Sequence, residues 1–176
     1  MTQARLYLEG RAFVFGDNLA NDGELMDLAF ALARETDPQK LRQHIFAGID
    51  PDIAGQLQPG DIIVAGRRFA QGNPHIQGFL GLKGAGVGLI TESIPSGSYR
   101  LAVNAGVPLL PRCPDLRSQI NHGDQLQVDF DTGVVVNQSR NVTLQFEPTP
   151  EHVRRIIASG GWKPMFQARL ATKGAQ

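Results

Sequence analysis

Between residues 61 and 110 three short apolar runs, DIIVA, VGLIT and VPLL, are separated by two stretches of helical character. Apolar runs of this length, bounded by Gly and Pro, read as buried strands rather than helices. Strands separated by helices pair in parallel, because antiparallel neighbours need only a tight turn, and the crossovers are right-handed. A β-α-β-α-β unit is therefore predicted, with strands at Ile62–Ala65, around VGLIT and around VPLL. The second of its helices, SGSYRLAVNA, should stop near Gly106.

The flanking segments extend this unit. RLYLEGRAFVF alternates apolar and polar residues and predicts a strand over about Ala12–Phe15, ending in a polar loop at Gly16. GELMDLAFALARE favours a helix. DPQKLRQHIFAGI favours another, with Asp37 as N-cap and Pro38 in the first turn, and with Leu41, Ile45 and Phe46 on one face. Beyond Pro111 the pattern becomes β-rich. DQLQVDF and VVVNQ form a hairpin around Asp131-Thr132-Gly133, where Asp129 and Asp131 have turn roles, and VTLQFEP is a further strand. TPEHVRRIIASGG closes the chain as a helix, with Thr149 as N-cap, Pro150 at the first position and Gly160-Gly161 as the stop.

The 176 residues suit one domain with a sizeable core, and no linker divides them. Seventeen basic residues balance seventeen acidic ones, so nothing here supplies the field that attracts nucleic acid or an anionic membrane. No membrane-length apolar run and no secretory leader is evident, which makes the cytoplasm the expected location. The single cysteine, Cys113, excludes an intramolecular disulfide and a cysteine-only metal or iron–sulfur site within this chain. His44, His75, His122 and His152 lack metal-ligand spacing. Cys113 reads as a small packing residue before a reactive thiol.

Ligands of open α/β sheets bind outside the carboxyl ends of the strands. Two loops leave such ends on neighbouring strands, residues 66–73 and 93–98, and are expected to face one pocket, with residues 16–22 before them as a third wall. The middle loop, GRRFAQGN, has glycines that admit a ligand close to the backbone, and it feeds a helix expected to begin near Asn73, whose N-terminus would attract an anion. Arg67, Arg68 and His75 add charge, and a small carboxylate would suit the site. Asn73 as N-cap with Pro74 at the first helical position is equally a purely structural helix start, which would leave His75 on the surface.

Order and spacing then match a family. The segments GRAFVFGDNLANDGEL, AGIDPDIAGQLQPGDIIVAGRRFAQG, GLKGAGVGLITESI, YRLAVNAGVPLL, INHGDQLQVDFDTGVV and IIASGGWKPMF cover about residues 10–166. The chain resembles the small subunit of isopropylmalate isomerase and homoaconitase, the swivel domain of the aconitase superfamily. The resemblance implies a swivelling β/β/α domain of three layers with a β-rich C-terminal extension, and leaves residues 167–176 as a flexible tail. It implies docking on a large subunit that carries a 4Fe-4S cluster, as a heterodimer in leucine biosynthesis. The implied chemistry is reversible dehydration of a small hydroxy-carboxylic acid bound between the subunits.

The resemblance weakens at the chemical positions. The family's loop typically reads Gly-x-Gly-Ser-Ser-Arg-Glu-His; here the matching stretch is Gln71-Gly72-Asn73-Pro74-His75-Ile76-Gln77. Asn73 cannot serve as the family's serine base, Pro74 removes a backbone donor, and His75 replaces an arginine that pairs a carboxylate. The family's Asp-Thr-Asp is Ala20-Asn21-Asp22, and its Ser-Phe-Ala-Arg is Ser93-Ile94-Pro95-Ser96. A specificity loop of the family falls in DLAFALARE. The residues expected at a substrate site are accordingly Gly72, Asn73, Arg67, Arg68, Asn21, Asp22 and Ser96, with His75 as the replacement base or acid. Arg100, inside a helix, has a structural role. A divergent hydro-lyase subunit is one reading. A non-catalytic paralogue that stabilises or regulates a partner, and a stand-alone organic-acid-binding domain, are the others.

Overall fold

The first strand, β1 (Tyr7–Phe15), is shared by two half-sheets. A computed structural model of the protein describes residues 6–173. The N-terminal half of β1 runs antiparallel to β5 (Gln125–Asp129), with Tyr7 opposite Asp129 and Arg11 opposite Gln125. Its C-terminal half runs parallel to β2 (Ile62–Ala65), with Ala12 opposite Ile62 and Phe15 opposite Ala65. The changeover falls between Arg11 and Ala12; just before it, an added Cβ on Gly10 would stand 2.6 Å from the Gly60 carbonyl, so only glycine fits.

In chain order the remaining elements are α1 (Leu28–Leu32), α2 (Pro38–Leu41), α3 (Ile53–Gln56), α4 (Gln77–Ala85), β3 (Gly88–Thr91), α5 (Ser96–Ala105), β4 (Leu109–Leu110), α6 (Leu116–Gln119), β6 (Val134–Asn137), β7 (Val142–Gln145), α7 (Glu151–Ala158) and α8 (Trp162–Lys173). The sheet order is β4-β3-β2-β1-β5-β6-β7. The predicted unit from β2 to β4 is all parallel, and the β5–β6 and β6–β7 pairs are antiparallel.

Strand alternation builds the layers. Phe13, Ile63, Ala65, Leu89 and Leu109 face one way, into a core with Phe79 and Leu82 of α4, Ala102 of α5 and Ile157 of α7. Their neighbours Ala12, Ile62, Val64, Ile90 and Leu110 face the other way, onto Leu126, Val128, Phe130 and Val135 of the antiparallel half. The sheet therefore curls over itself, and the three-layer β/β/α arrangement implied by the resemblance is the one observed, with the β-rich C-terminal part as the outer β layer.

Several boundaries differ from expectation. Asp37 does cap α2, accepting from Gln39 N at 2.9 Å, and Leu41, Ile45 and Phe46 are fully buried. The helix is nonetheless short, and turns continue to residue 49. The helix expected from Gly23 is confined to α1, because Asp27 caps it by accepting from Ala29 N, while Leu25 and Met26 are drawn into the core. α7 begins one residue later than predicted, after a Pro150 cap, and Thr149 is buried. Gly160-Gly161 ends α7, but a further helix, α8, follows at once. The segment expected as a tail from residue 167 is helical to Lys173, and residues 174–176 lie outside the described residues. Asp129 and Asp131 have the predicted turn role: Asp129 Oδ1 accepts from the backbone of Asp131 and Thr132, and Asp131 from Leu6.

Candidate active site

The loops after β1, β2 and β3 are stitched to one another by backbone and side-chain bonds. Gln71 N–H donates to Leu19 O at 2.9 Å and Asn21 N–H donates to Gln71 O at 2.8 Å, a short parallel bridge between the first and second loops. Phe69 N–H donates to Ser93 O at 3.0 Å, and Arg68 N–H to Ser93 Oγ at 2.9 Å, joining the second loop to the third. Ser98 Oγ donates to Ala70 O at 2.5 Å. These bonds bring the three loops together at the carboxyl ends of the strands.

The second loop does not start a helix at Asn73. α4 begins at Gln77, with Ile76 as its cap and no capping side chain, so the predicted Asn73 cap with Pro74 in the first turn is not formed. The cause is tertiary. Asn21, 1% exposed, accepts from His75 N–H through Oδ1 at 3.2 Å and donates through Nδ2 to His75 O at 3.3 Å. Both backbone groups of His75 are thereby committed to the first loop. Gln77, Gly78 and Phe79 are buried, so the anion-binding helix end expected near Asn73 does not exist there. Gly72 (φ 94°) and Asn73 lie exposed in the intervening turn.

His75 has a polar partner. Its Nδ1 lies 2.7 Å from Asp22 Oδ1, each side chain about 29% exposed. Nε2 makes no hydrogen bond among the described residues. An imidazole held at one nitrogen by a carboxylate, with the other nitrogen free, can take up and return a proton at Nε2 in a fixed direction.

A cleft of about 390 Å³ opens between the loops, lined by Asp17, Asn18, Arg67, Arg68 and Ser93. Asp17 organises it. Its carboxylate accepts from Arg67 N–H at 2.8 Å, from the Arg67 guanidinium at 3.0 and 3.3 Å, and from Arg117 Nη2 at 2.8 Å. The Arg67 backbone bond, then its side chain, then the Arg117 charge hold the Asp17 carboxyl below its ordinary value. Arg117 also approaches Glu92, its Nε 3.7 Å from Oε1. Gly66 makes room for this cluster: a Cβ there would stand 2.1 Å from Asp17 Oδ1 and 2.8 Å from Arg117 Nε. A second, more apolar cleft of about 420 Å³ adjoins at Ser93 and runs past Ser96, Tyr99, Pro111 and Pro150.

The expected residues thus divide. Arg67 and Arg68 line the first cleft and Ser96 the second, while Asn21, Asp22, Asn73, Gly72 and His75 line neither of the two. Arg100 donates to Ser96 O within α5 and is exposed, a helix-surface role. Ser93 matches the first position of the family's Ser-Phe-Ala-Arg, whereas Asp17 and Asn18 are not among the expected residues although their loop is, and Arg117 lies outside all three loops. Arg117 is 100 residues from Asp17 in the chain, and nothing local announces their pairing. Cys113 is fully buried, with its thiol pushed up to about 12 by burial, and packs in the core between the two β layers. Among the described residues no group of His, Cys, Asp and Glu has the spacing to hold a metal ion, and no helix is long and apolar enough to cross a membrane.

Comparison with known proteins gives a consistent result. No family model matches the chain. It is 35% identical to the isopropylmalate/citramalate isomerase small subunit of Methanocaldococcus jannaschii, over 95% of this chain and 98% of that one. It is 37% identical to the 3-isopropylmalate dehydratase small subunit of Methanosarcina mazei and 35% identical to that of Halothermothrix orenii, in both cases over 88% of this chain and more than nine-tenths of the other. The crystal structure of a 3-isopropylmalate dehydratase chain from Methanocaldococcus jannaschii superimposes with a TM-score of 0.83 at 30% identity, covering 97% of this chain and 99% of that one.

Proposed function

Because this chain belongs to the family of 3-isopropylmalate dehydratase small subunits, we propose that it works as the small subunit of a heteromeric hydro-lyase. In this reading it docks on a large subunit and helps bind a malate-type hydroxy-dicarboxylate between the two, for reversible loss and re-addition of water. The names of its relatives support isopropylmalate or citramalate as the substrate type, and the former places the reaction in leucine biosynthesis. A cytoplasmic setting suits the single buried thiol and the lack of any disulfide.

The observation that carries the catalytic reading is the 2.7 Å contact between His75 Nδ1 and Asp22. Where the family resemblance puts a serine base and an arginine, this chain puts an oriented imidazole with a free Nε2. In the dehydration direction His75 Nε2 takes the proton from the carbon beside a substrate carboxylate, the C–H electron pair becomes the double bond, and hydroxide leaves the neighbouring carbon, where a Lewis acid on the large subunit would accept it. Asp22 holds the Nδ1 proton and stabilises the imidazolium that forms; hydration returns the proton by the same route. The cleft around Arg67 and Arg68 attracts the substrate's carboxylates.

The resemblance assigns a 4Fe-4S cluster to the large subunit. The residues of this chain do not fit such a cluster, since its one cysteine is buried in the core with its thiol held protonated. His75 and Asp22 move only the carbon-bound proton, and such a cluster would supply the Lewis acidity for the departing hydroxyl.

The test is reconstitution of the chain with its cluster-loaded large subunit and measurement of unsaturated product from isopropylmalate and citramalate. Turnover by the pair that is absent from either subunit alone, and lost with His75→Ala, is the expected result. A pair that associates but converts neither substrate would make this chain a non-catalytic paralogue.

A further inference from the structure

The two adjacent arginines of the cleft are not equivalent, and the geometry points to Arg68 as the residue that pairs a substrate carboxylate, with Arg67 and Arg117 as the groups that position it. This rests on the dicarboxylate substrate proposed above.

Arg67 is already occupied. Its backbone N–H, Nε and Nη2 all donate to Asp17, and its charge is neutralised there. An incoming carboxylate would have to displace an anion held by two arginines, since Arg117 grips the other oxygen of Asp17. Arg68 differs on each count. Among the described residues its one side-chain bond runs from Nε to the neutral amide oxygen of Asn18, at 2.6 Å. It has no acidic partner among the described residues, and both Nη groups are free to form the two parallel bonds of a carboxylate fork. Among the residues lining that cleft it is the one cation whose charge is uncompensated.

The backbone supports the assignment. Arg68 has φ 57°, a left-handed conformation that is unfavourable for a non-glycine residue. Such a conformation persists where its surroundings over-determine it. Here they do: Arg68 N–H is fixed on Ser93 Oγ, the flanking Phe69 N–H on Ser93 O, and Arg67 O accepts from Asn18 N–H at 2.8 Å. Asn18, itself at φ 63°, is tethered again where its carbonyl accepts from Gln71 Nε2 at 2.8 Å. The guanidinium of Arg68 is therefore aimed from a rigid frame that the ion-pair chain Arg67–Asp17–Arg117 holds in place.

The experiment uses the complex with the large subunit and two readouts: steady-state kinetics, and calorimetric binding of malate as a plain dicarboxylate probe. Arg68→Gln should raise KM and weaken malate binding by about 10- to 100-fold, the loss expected for a charge-assisted pair, with kcat much less affected. Arg68→Lys should recover part of the loss, since it restores charge without the fork. Arg117→Lys should lower thermal stability and weaken binding less than Arg68→Gln. If Arg68→Gln leaves both KM and malate affinity unchanged, or if the wild-type complex binds no malate, the assignment of Arg68 is wrong. If the wild-type complex binds malate through Arg68 but turns over no substrate, the assignment stands and the catalytic reading of His75 fails.

Discussion

The side chain of Asn21 pairs with the backbone of His75 as a strand neighbour would: its Oδ1 accepts from the His75 N–H and its Nδ2 donates to the His75 carbonyl. One buried amide thus replaces two backbone partners and delays the start of α4 to Gln77. Asn21→Ala leaves both groups without their bonds in a half-buried setting. It should cost about 1–3 kcal/mol of unfolding free energy and speed hydrogen exchange over residues 72–76. Denaturant titration and exchange mass spectrometry would check this.

Asp22 orients the His75 ring without touching substrate in the proposed mechanism. His75→Ala should lower kcat of the reconstituted complex by about 10²–10⁴-fold, the usual contribution of a general acid–base group. Asp22→Asn keeps the shape but removes the charge opposite Nδ1, so it should lower kcat by less and leave KM near the wild-type value. Equal losses in the two variants would mean that Asp22 has a role beyond orienting the ring.

Asp17 gives the fold an acid-sensitive clasp. Its carboxyl is held below the ordinary 3.8 by Arg67 and Arg117, so its folded-state value lies under its unfolded one. The clasp is then complete above the ordinary carboxylate range and is lost as pH falls through the depressed value. Asp17→Asn should therefore be less stable than wild type at neutral pH, with the difference shrinking as the solution is acidified. Thermal melts of both proteins across an acid series would show the convergence.

Cys113 runs in the opposite direction. Burial lifts its thiol from 9.0 to about 12, so the folded protein favours the neutral form. That preference stabilises the fold fully below the ordinary thiol value and fades as pH climbs towards the raised one. The native protein should react very slowly with a disulfide reagent at pH 8 and promptly once denaturant is added. Labelling kinetics with and without denaturant measure the contrast.

What could be read in advance follows from where each element gets its stability. Ile62–Ala65 was read to the residue because a run buried on both faces needs only its own side chains to declare it. The β5–β6 hairpin was legible from the strict alternation of Gln125–Asp129 and its local turn. The start of α4 was not, since Asn73-Pro74 is a good local helix start that a distant buried amide overrules. α8 is not legible because Gly160-Gly161 is a true stop for α7 and gives no sign of a second helix behind it. At the candidate site the loops were found by position, whereas the Asp17–Arg117 pair joins segments that no local pattern relates.

The division of β1 between two half-sheets also sets a timetable. Its second half can pair once Ile62–Ala65 exists, but its first half must wait for Gln125–Asp129. On a ribosome the strand made first therefore keeps the edge of Tyr7–Arg11 open through most of synthesis. Unpaired edges of this kind invite pairing with other chains. Slowing elongation before residues 125–129 have emerged from the ribosome should therefore lengthen the interval in which the nascent chain is prone to aggregate, whereas a pause after they have emerged should not.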